Sequence, residues 1–349
     1  MTAKTASALL VWLAFLGGAT VPAHAQPPTD LTKLSLQELM ALDVISVDVL
    51  GSHVHPAGQW MVGYELMFEN MDGNRDGTSR INHDGVLEGF ATSPTKMTMQ
   101  MHMAMLMYAP SNDLTLMAML PYVLKSMDHV TRDGARFTER TEGFGDLELR
   151  AFYTLFRVRE VQHRLLLNAG VSVPTGSINE KDTGPERSMG RARLEYPMQL
   201  GSGTVDLLPG LTYLGQTANW AWGAEFVPTV RLGTNSNHYR LGNRYRLTAW
   251  GDRRVTDWFA LSARLDGQRW DNIHGADPTL DPMDEPTKDP KLQGGDRIAL
   301  LAGISFYVPR GPFQGQRLAI EVGAPTYQSL TGPQLQIDLL VRVGWQWAF

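Results

Sequence analysis

From Met97 to Met107 a methionine occupies every second position of "KMTMQMHMAMLMY". Two is the period of a β-strand, whose successive side chains point to opposite faces. The run therefore reads as one strand with an all-thioether face, its other face carrying Lys96, Thr98, Gln100, His102, Ala104, Leu106 and Tyr108. The stretch "QLQIDLLVRVGWQWAF" keeps the same period. Leu335, Ile337, Leu339, Val341, Val343, Trp345, Trp347 and Phe349 share one side, and Gln334, Gln336, Asp338, Arg342, Gly344 and Gln346 the other. Strands of about ten residues with an apolar exterior, a polar interior and aromatics near their ends define a transmembrane β-barrel. Sandwich strands are usually shorter. The fold class expected is all-β: an antiparallel transmembrane β-barrel of about twelve strands, even in number.

The N-terminal stretch fits export to such a barrel. Lys4, the apolar "ALLVWLAFL" (Ala8 to Leu16) and "AHA" (Ala23 to Ala25) read as a signal peptide over 1–25, with Gln26 the first mature residue. That apolar core is too short to span a bilayer. Residues 26–57 then read as a periplasmic helix and arm. Ser35 and Glu38 have capping-box spacing, and Leu36, Leu39 and Met40 share a helical face, predicting a short helix from Ser35 to Leu42. This segment resembles, as far as Val47, the stretch preceding the plug of TonB-dependent receptors. A net charge of −5 gives no footing for nucleic acid, and the absence of cysteine removes disulfides and thiolate metal sites. The expected location is the cell outer membrane, with its lipid and the barrel-assembly machinery as partners. Phe349 on the apolar face resembles the assembly signal of such barrels.

The barrel is expected over 58–349. In "QWMVGYELMFENM", Trp60, Val62, Tyr64, Leu66 and Phe68 should face lipid, and Met61, Gly63, Glu65, Met67, Glu69 and Met71 should face inward. Asp72–Thr95, Ser126–Gly143, Ser177–Gly203 and Asp271–Gly294 read as outer loops, alternating with short turns. The motif order in "YAPSNDLTLMAMLPY", "GFGDLELRAFYTL" and "LNAGVSVPTGS" resembles the outer-membrane family named for the meta-pathway of phenol degradation, in a methionine-rich subgroup. That resemblance covers Gly58 to Phe349. It implies a barrel and passage of small molecules, and supplies no binding residues.

The chemistry in these residues is limited. Thioether sulfur suits Cu(I), and imidazole suits copper or zinc. A soft-metal path would use Met61, Met67, Met71, Met117, Met119, Met127 and His129, with His102 joining only if its face is inward. Taken alone, the methionine strand leaves no polar group in lipid if its sulfurs face outward, because Gln100 and His102 then line the lumen. Tyr108, placed like an interface aromatic, and the flanking methionines argue for the opposite direction, and both stay open. His53 and His55 form an H-x-H pair. "DGNRDG" (Asp72 to Gly77) opens like a calcium loop but has His83 where the bidentate glutamate belongs. Glu65, Glu69, Glu148, Arg150 and Glu321 read as lumen charges that hydrate a pore. No nucleophile elbow or other catalytic constellation is present, so an enzyme is not expected. The function expected is an outer-membrane channel for small solutes, with soft metal ions such as copper as candidate cargo. The alternatives are a non-transporting copper-sequestering protein and an uptake channel for aromatic hydrocarbons. No cofactor is required; copper is the one candidate.

Overall fold

A computed structural model describes residues 53–158, 163–184, 190–311 and 313–349. The expected signal peptide and the Ser35–Leu42 helix lie outside the described residues. Eleven long strands follow one another in chain order: β1 Trp60–Gly77, β2 Thr92–Ser111, β3 Leu114–Thr131, β4 Leu147–Val158, β5 His163–Val173, β6 Gly210–Gln216, β7 Trp220–Leu232, β8 Arg244–Thr256, β9 Phe259–Trp270, β10 Gly295–Tyr307 and β11 Gln316–Ala348. Each pairs antiparallel with its sequence neighbours, and β11 pairs back onto β1, so the sheet closes into a barrel. Closure removes every sheet edge, as a β-structure in lipid requires. Short additional strands extend the ring at the loop end.

The period-two patterns explain the walls. On β1, Trp60 and Tyr64 are exposed while Met61, Gly63, Glu65 and Glu69 are buried. Leu247, Leu265 and Leu300 are likewise 56, 42 and 45 % exposed, with buried Thr248, Asp266 and Ala299 beside them. This apolar exterior ends in aromatics. Trp60 packs on Tyr108, and Trp258 on Phe259 and Phe306, at the short-turn end; Tyr122 meets Phe144 at the other. The protein is an outer-membrane β-barrel.

Two expectations need correction. Asp72–Thr95 and Ser126–Gly143 are not loops throughout. Asp72–Gly77 continues β1, a five-residue helix α1 spans His83–Leu87, and Ser126–Thr131 pairs with a strand at Arg136–Phe144. The sheet continues past the membrane because backbone pairing there costs nothing that water would not also supply. "DGNRDG" is therefore extended chain, and cannot curl around a calcium ion as a twelve-residue loop does. On β11 the register shifts opposite Asn70–Met71, leaving Asp338 as the extra residue. Leu335 and Ile337 consequently turn inward onto Met71 rather than outward to lipid. Eleven paired elements close the ring, the last of them 33 residues long. Its residues 317–330 lie along β10 and residues 330–348 along β1.

Short turns face the periplasm and long loops the exterior in such barrels. Because the chain has no cysteine, single cysteines report topology cleanly. Cysteine placed at Asp133 or Asp281 should label on intact cells with a membrane-impermeant maleimide. Labelling at Asp113 or Thr256 instead would invert the orientation.

Candidate functional site

The lumen carries two walls of opposite character. The first is built by β1, β2 and β3. Their registers stack six inward rungs: Met61–Met107–Met117, Gly63–Met105–Met119, Glu65–Met103–Pro121, Met67–Met101–Val123, Glu69–Met99–Lys125 and Met71–Met97–Met127. The methionine face of β2 points inward. Met97, Met103, Met105 and Met107 are 4, 4, 5 and 0 % exposed, whereas Leu106 on the opposite face is 45 % exposed. Met61, Met105, Met107 and Met117 pack with Phe152 and Leu166 near the short turns. Met97, Met127 and Met198 form a second cluster near the loops, with Met71 against it. A flexible thioether fills such irregular space well, and it is also a soft ligand.

His102 is corrected: it lies on the outward face and belongs to no inward cluster. Its Nδ1 sits 2.6 Å from the Tyr64 hydroxyl, which offers a hydrogen-bond partner on the lipid side. His163 and Tyr213 repeat the same outward pair at 2.6 Å. Replacing His102 with leucine should lower stability by about 1–3 kcal/mol at most, since the Tyr64 hydroxyl is left without its partner. Urea unfolding of the refolded protein in vesicles measures it. A larger loss would show that His102 does more than satisfy Tyr64.

The second wall, on β8 to β11, is ionic. Arg264 Nε lies 3.0 Å from both Glu321 oxygens, both side chains are 1 % exposed, and its guanidinium stands 5.3 Å over Trp250. Asp266 takes hydrogen bonds from Arg246 at 2.5 Å and Arg342 at 3.1 Å. Arg297 comes within 4.0 Å of Glu69, linking this wall to the methionine strands. Glu148 and Arg150 face inward on β4 and pair with each other at 2.7 Å. The sequence reading named Glu321 but missed Arg264, Asp266, Arg246 and Arg342 as a network. The signal was present: Ser262, Arg264, Asp266 and Gln268 alternate with apolar or small residues along β9.

Both ends of the lumen are narrowed. Near the short turns, Val54 packs on the Met61–Met107–Met117 rung, and the His55 amide donates to Thr115 Oγ1 at 2.9 Å. The His53 and His55 rings meet edge-on at 4.6 Å, and His55 Nδ1 lies 2.8 Å from Gln59 Oε1. At the loop end, Leu194 and Met198 cover Met97 and Met127, and Lys125 Nζ donates to the carbonyls of Pro197 and Gln199. His129 extends the same inward face beyond Met127, above the membrane span, where Glu139, Glu195 and Glu285 surround it. Burial alone would depress the imidazole, but Glu285, then Glu195 and Glu139, holds it protonated up to about 9. Burial, reinforced by Glu285 and Glu139, pushes the Glu195 carboxyl well above the usual range.

No family model matches the chain, and no curated protein matches its sequence. Among solved structures, it is similar to an outer membrane channel from Pseudomonas putida F1, with 15% identity over 87% of this chain and 100% of that one, at a TM-score of 0.60. The KdgM porin (12% identity, 83% of this chain, 99% of that one) and the Pseudomonas putida toluene transporter TodX (9%, 85%, 92%) align at TM-scores of 0.36 and 0.38. The chain thus has the fold of an outer-membrane channel.

Proposed function

We propose that this barrel passes a small solute across the outer membrane, with soft metal ions, Cu(I) above all, as cargo. The observation that carries the reading is the inward direction of the Met97–Met107 face, which gathers thioethers from three strands onto one side of the lumen. Ligand softness matches Cu(I) or Ag(I) and disfavours hard ions. The ionic wall opposite would hydrate the passage and tune its selectivity. The description of the P. putida neighbour as a channel supports passage of solute. We infer as well that β11 doubles back at Thr331–Gly332–Pro333, so that the ring counts twelve strands. Gly332 has φ of +78°, and Phe349 exchanges backbone hydrogen bonds with Trp60 at the short-turn end. The passage is diffusive and non-catalytic in this reading, lipid and the assembly machinery being its partners.

A second reading, sequestration of copper without transport, draws support from the coverage of the lumen by Val54 below and Leu194 with Met198 above. Planar-bilayer recording with the purified protein separates the two. The channel reading expects discrete conductance steps that Ag(I) reduces. A protein that binds Ag(I) and never conducts would leave sequestration. Conductance indifferent to Ag(I), with uptake of aromatic hydrocarbons into vesicles, would favour the cargo implied by the meta-pathway family resemblance.

A further inference from the structure

Four side chains from three outer segments converge above the thioether wall. His129 comes from the end of β3, Glu139 from the returning Arg136–Phe144 strand, Glu195 from the cap of a short 3-10 turn at Tyr196–Met198, and Glu285 from the cap of another at Pro286–Lys288. His129 Nε2 lies 3.0 Å from Glu285 Oε1, 3.8 Å from Glu195 Oε1 and 3.8 Å from Glu139 Oε2. Donor atoms of His129, Glu195 and Glu285 all fall within 4.8 Å of one another. Ligand bonds of about 2.0–2.2 Å in a tetrahedral site place donors about 3.3–3.6 Å apart. These separations bracket that spacing.

Hydrogen bonding accounts for the cluster only in part: His129 bonds Glu285 at 3.0 Å, and Glu139 reaches Glu195. Glu195 is 0 % exposed, and among the described residues its carboxyl meets no donor other than the neighbouring Glu139 carboxyl and His129, 3.8 Å away. The nearby Lys288 ammonium is engaged by Asp284. Three buried carboxyl groups thus face one imidazole, and such groups are held ionised only by pairing or by a metal. The chemistry of the set, one nitrogen and three carboxylates, excludes preference for Cu(I) and suits a harder ion than the thioethers would take.

We propose that His129, Glu139, Glu195 and Glu285 bind one divalent first-row cation, for which Zn2+ is the probe. The ion pins the β3 hairpin to the 177–203 and 271–294 segments. Because Leu194 and Met198 sit on Met97 and Met127, the pin would also hold the cover of the lumen in place. This site does not depend on the cargo, so its failure leaves the channel reading untouched.

The test uses the full-length protein, refolded in detergent, stripped with a chelator and re-equilibrated with Zn2+. Metal analysis should find about one Zn2+ per chain, and Glu195→Gln, which keeps shape and removes charge, should weaken binding at least about tenfold. The shift in gel mobility on heating shows whether that variant still forms the barrel; Glu139→Gln serves as the second variant. Zn2+ should also slow protease cleavage within 177–203 and 271–294 of the unaltered protein, a readout that does not rely on any variant folding. Less than about a tenth of an equivalent bound, equal affinity in the folded variants, or cleavage indifferent to Zn2+ would overturn the proposal.

Discussion

Replacing Arg264 with alanine is expected to lower the stability of the barrel by about 3–5 kcal/mol, the cost of stripping one partner from a buried ion pair. Glu321 would remain 1 % exposed with its main counter-charge gone, and the guanidinium contact with Trp250 would go too. Replacing both Arg264 and Glu321 with apolar residues of similar volume should recover most of that loss, because no uncompensated charge stays behind. Arg269→Ala is the control. Its partner Asp296 is 3.9 Å away, both side chains are largely in the open, and the expected change is under about 1 kcal/mol. Urea titration of vesicle-reconstituted protein measures all three. Equal effects at Arg264 and Arg269 would mean that water fills the ionic wall, and the lumen would then be far wider than its side-chain contacts imply.

Joint replacement of Met61, Met67, Met117 and Met119 with leucine is expected to weaken Cu(I) or Ag(I) binding at least about tenfold, since leucine has no donor atom. Volume and apolarity are nearly conserved, so the barrel should fold and conduct much as before. Replacing Met97, Met99, Met101, Met103 and Met105 should act in the same direction, because both sets line one inward wall. Binding is read by competition with a chromophoric Cu(I) chelator, and conductance in a planar bilayer. Should neither set alter soft-ion binding while the barrel still assembles, the thioethers are packing alone, and copper falls away as cargo.

Strand existence and the facing of most strands were legible from residue order. The alternation of β1 set Met61, Glu65 and Glu69 inward without any knowledge of neighbours, and the short turns separated from the long segments. A period of two carries that information because a one-residue slip would move every side chain to the wrong face. Strand ends were less legible. Asp72–Gly77 and Ser126–Thr131 are polar and turn-rich, so local propensity reads them as loops, whereas cross-strand pairing keeps them extended.

By itself, then, the sequence determined a membrane barrel with period-two walls and which residues share a face on most strands, though not across the register shift at Asp338 on β11. It did not determine which face of β2 looks inward, since methionine is accepted by lipid and by lumen alike. The tertiary structure decided that. The register that joins β2 to β1 and β3 places Met107 between Met61 and Met117 and gives the outward His102 a partner in Tyr64. The gathering of His129, Glu139, Glu195 and Glu285 was equally invisible, since they lie on segments far apart in the chain. Only the folding of those outer segments onto one another brings their charges within reach, and no local period records a contact made between loops.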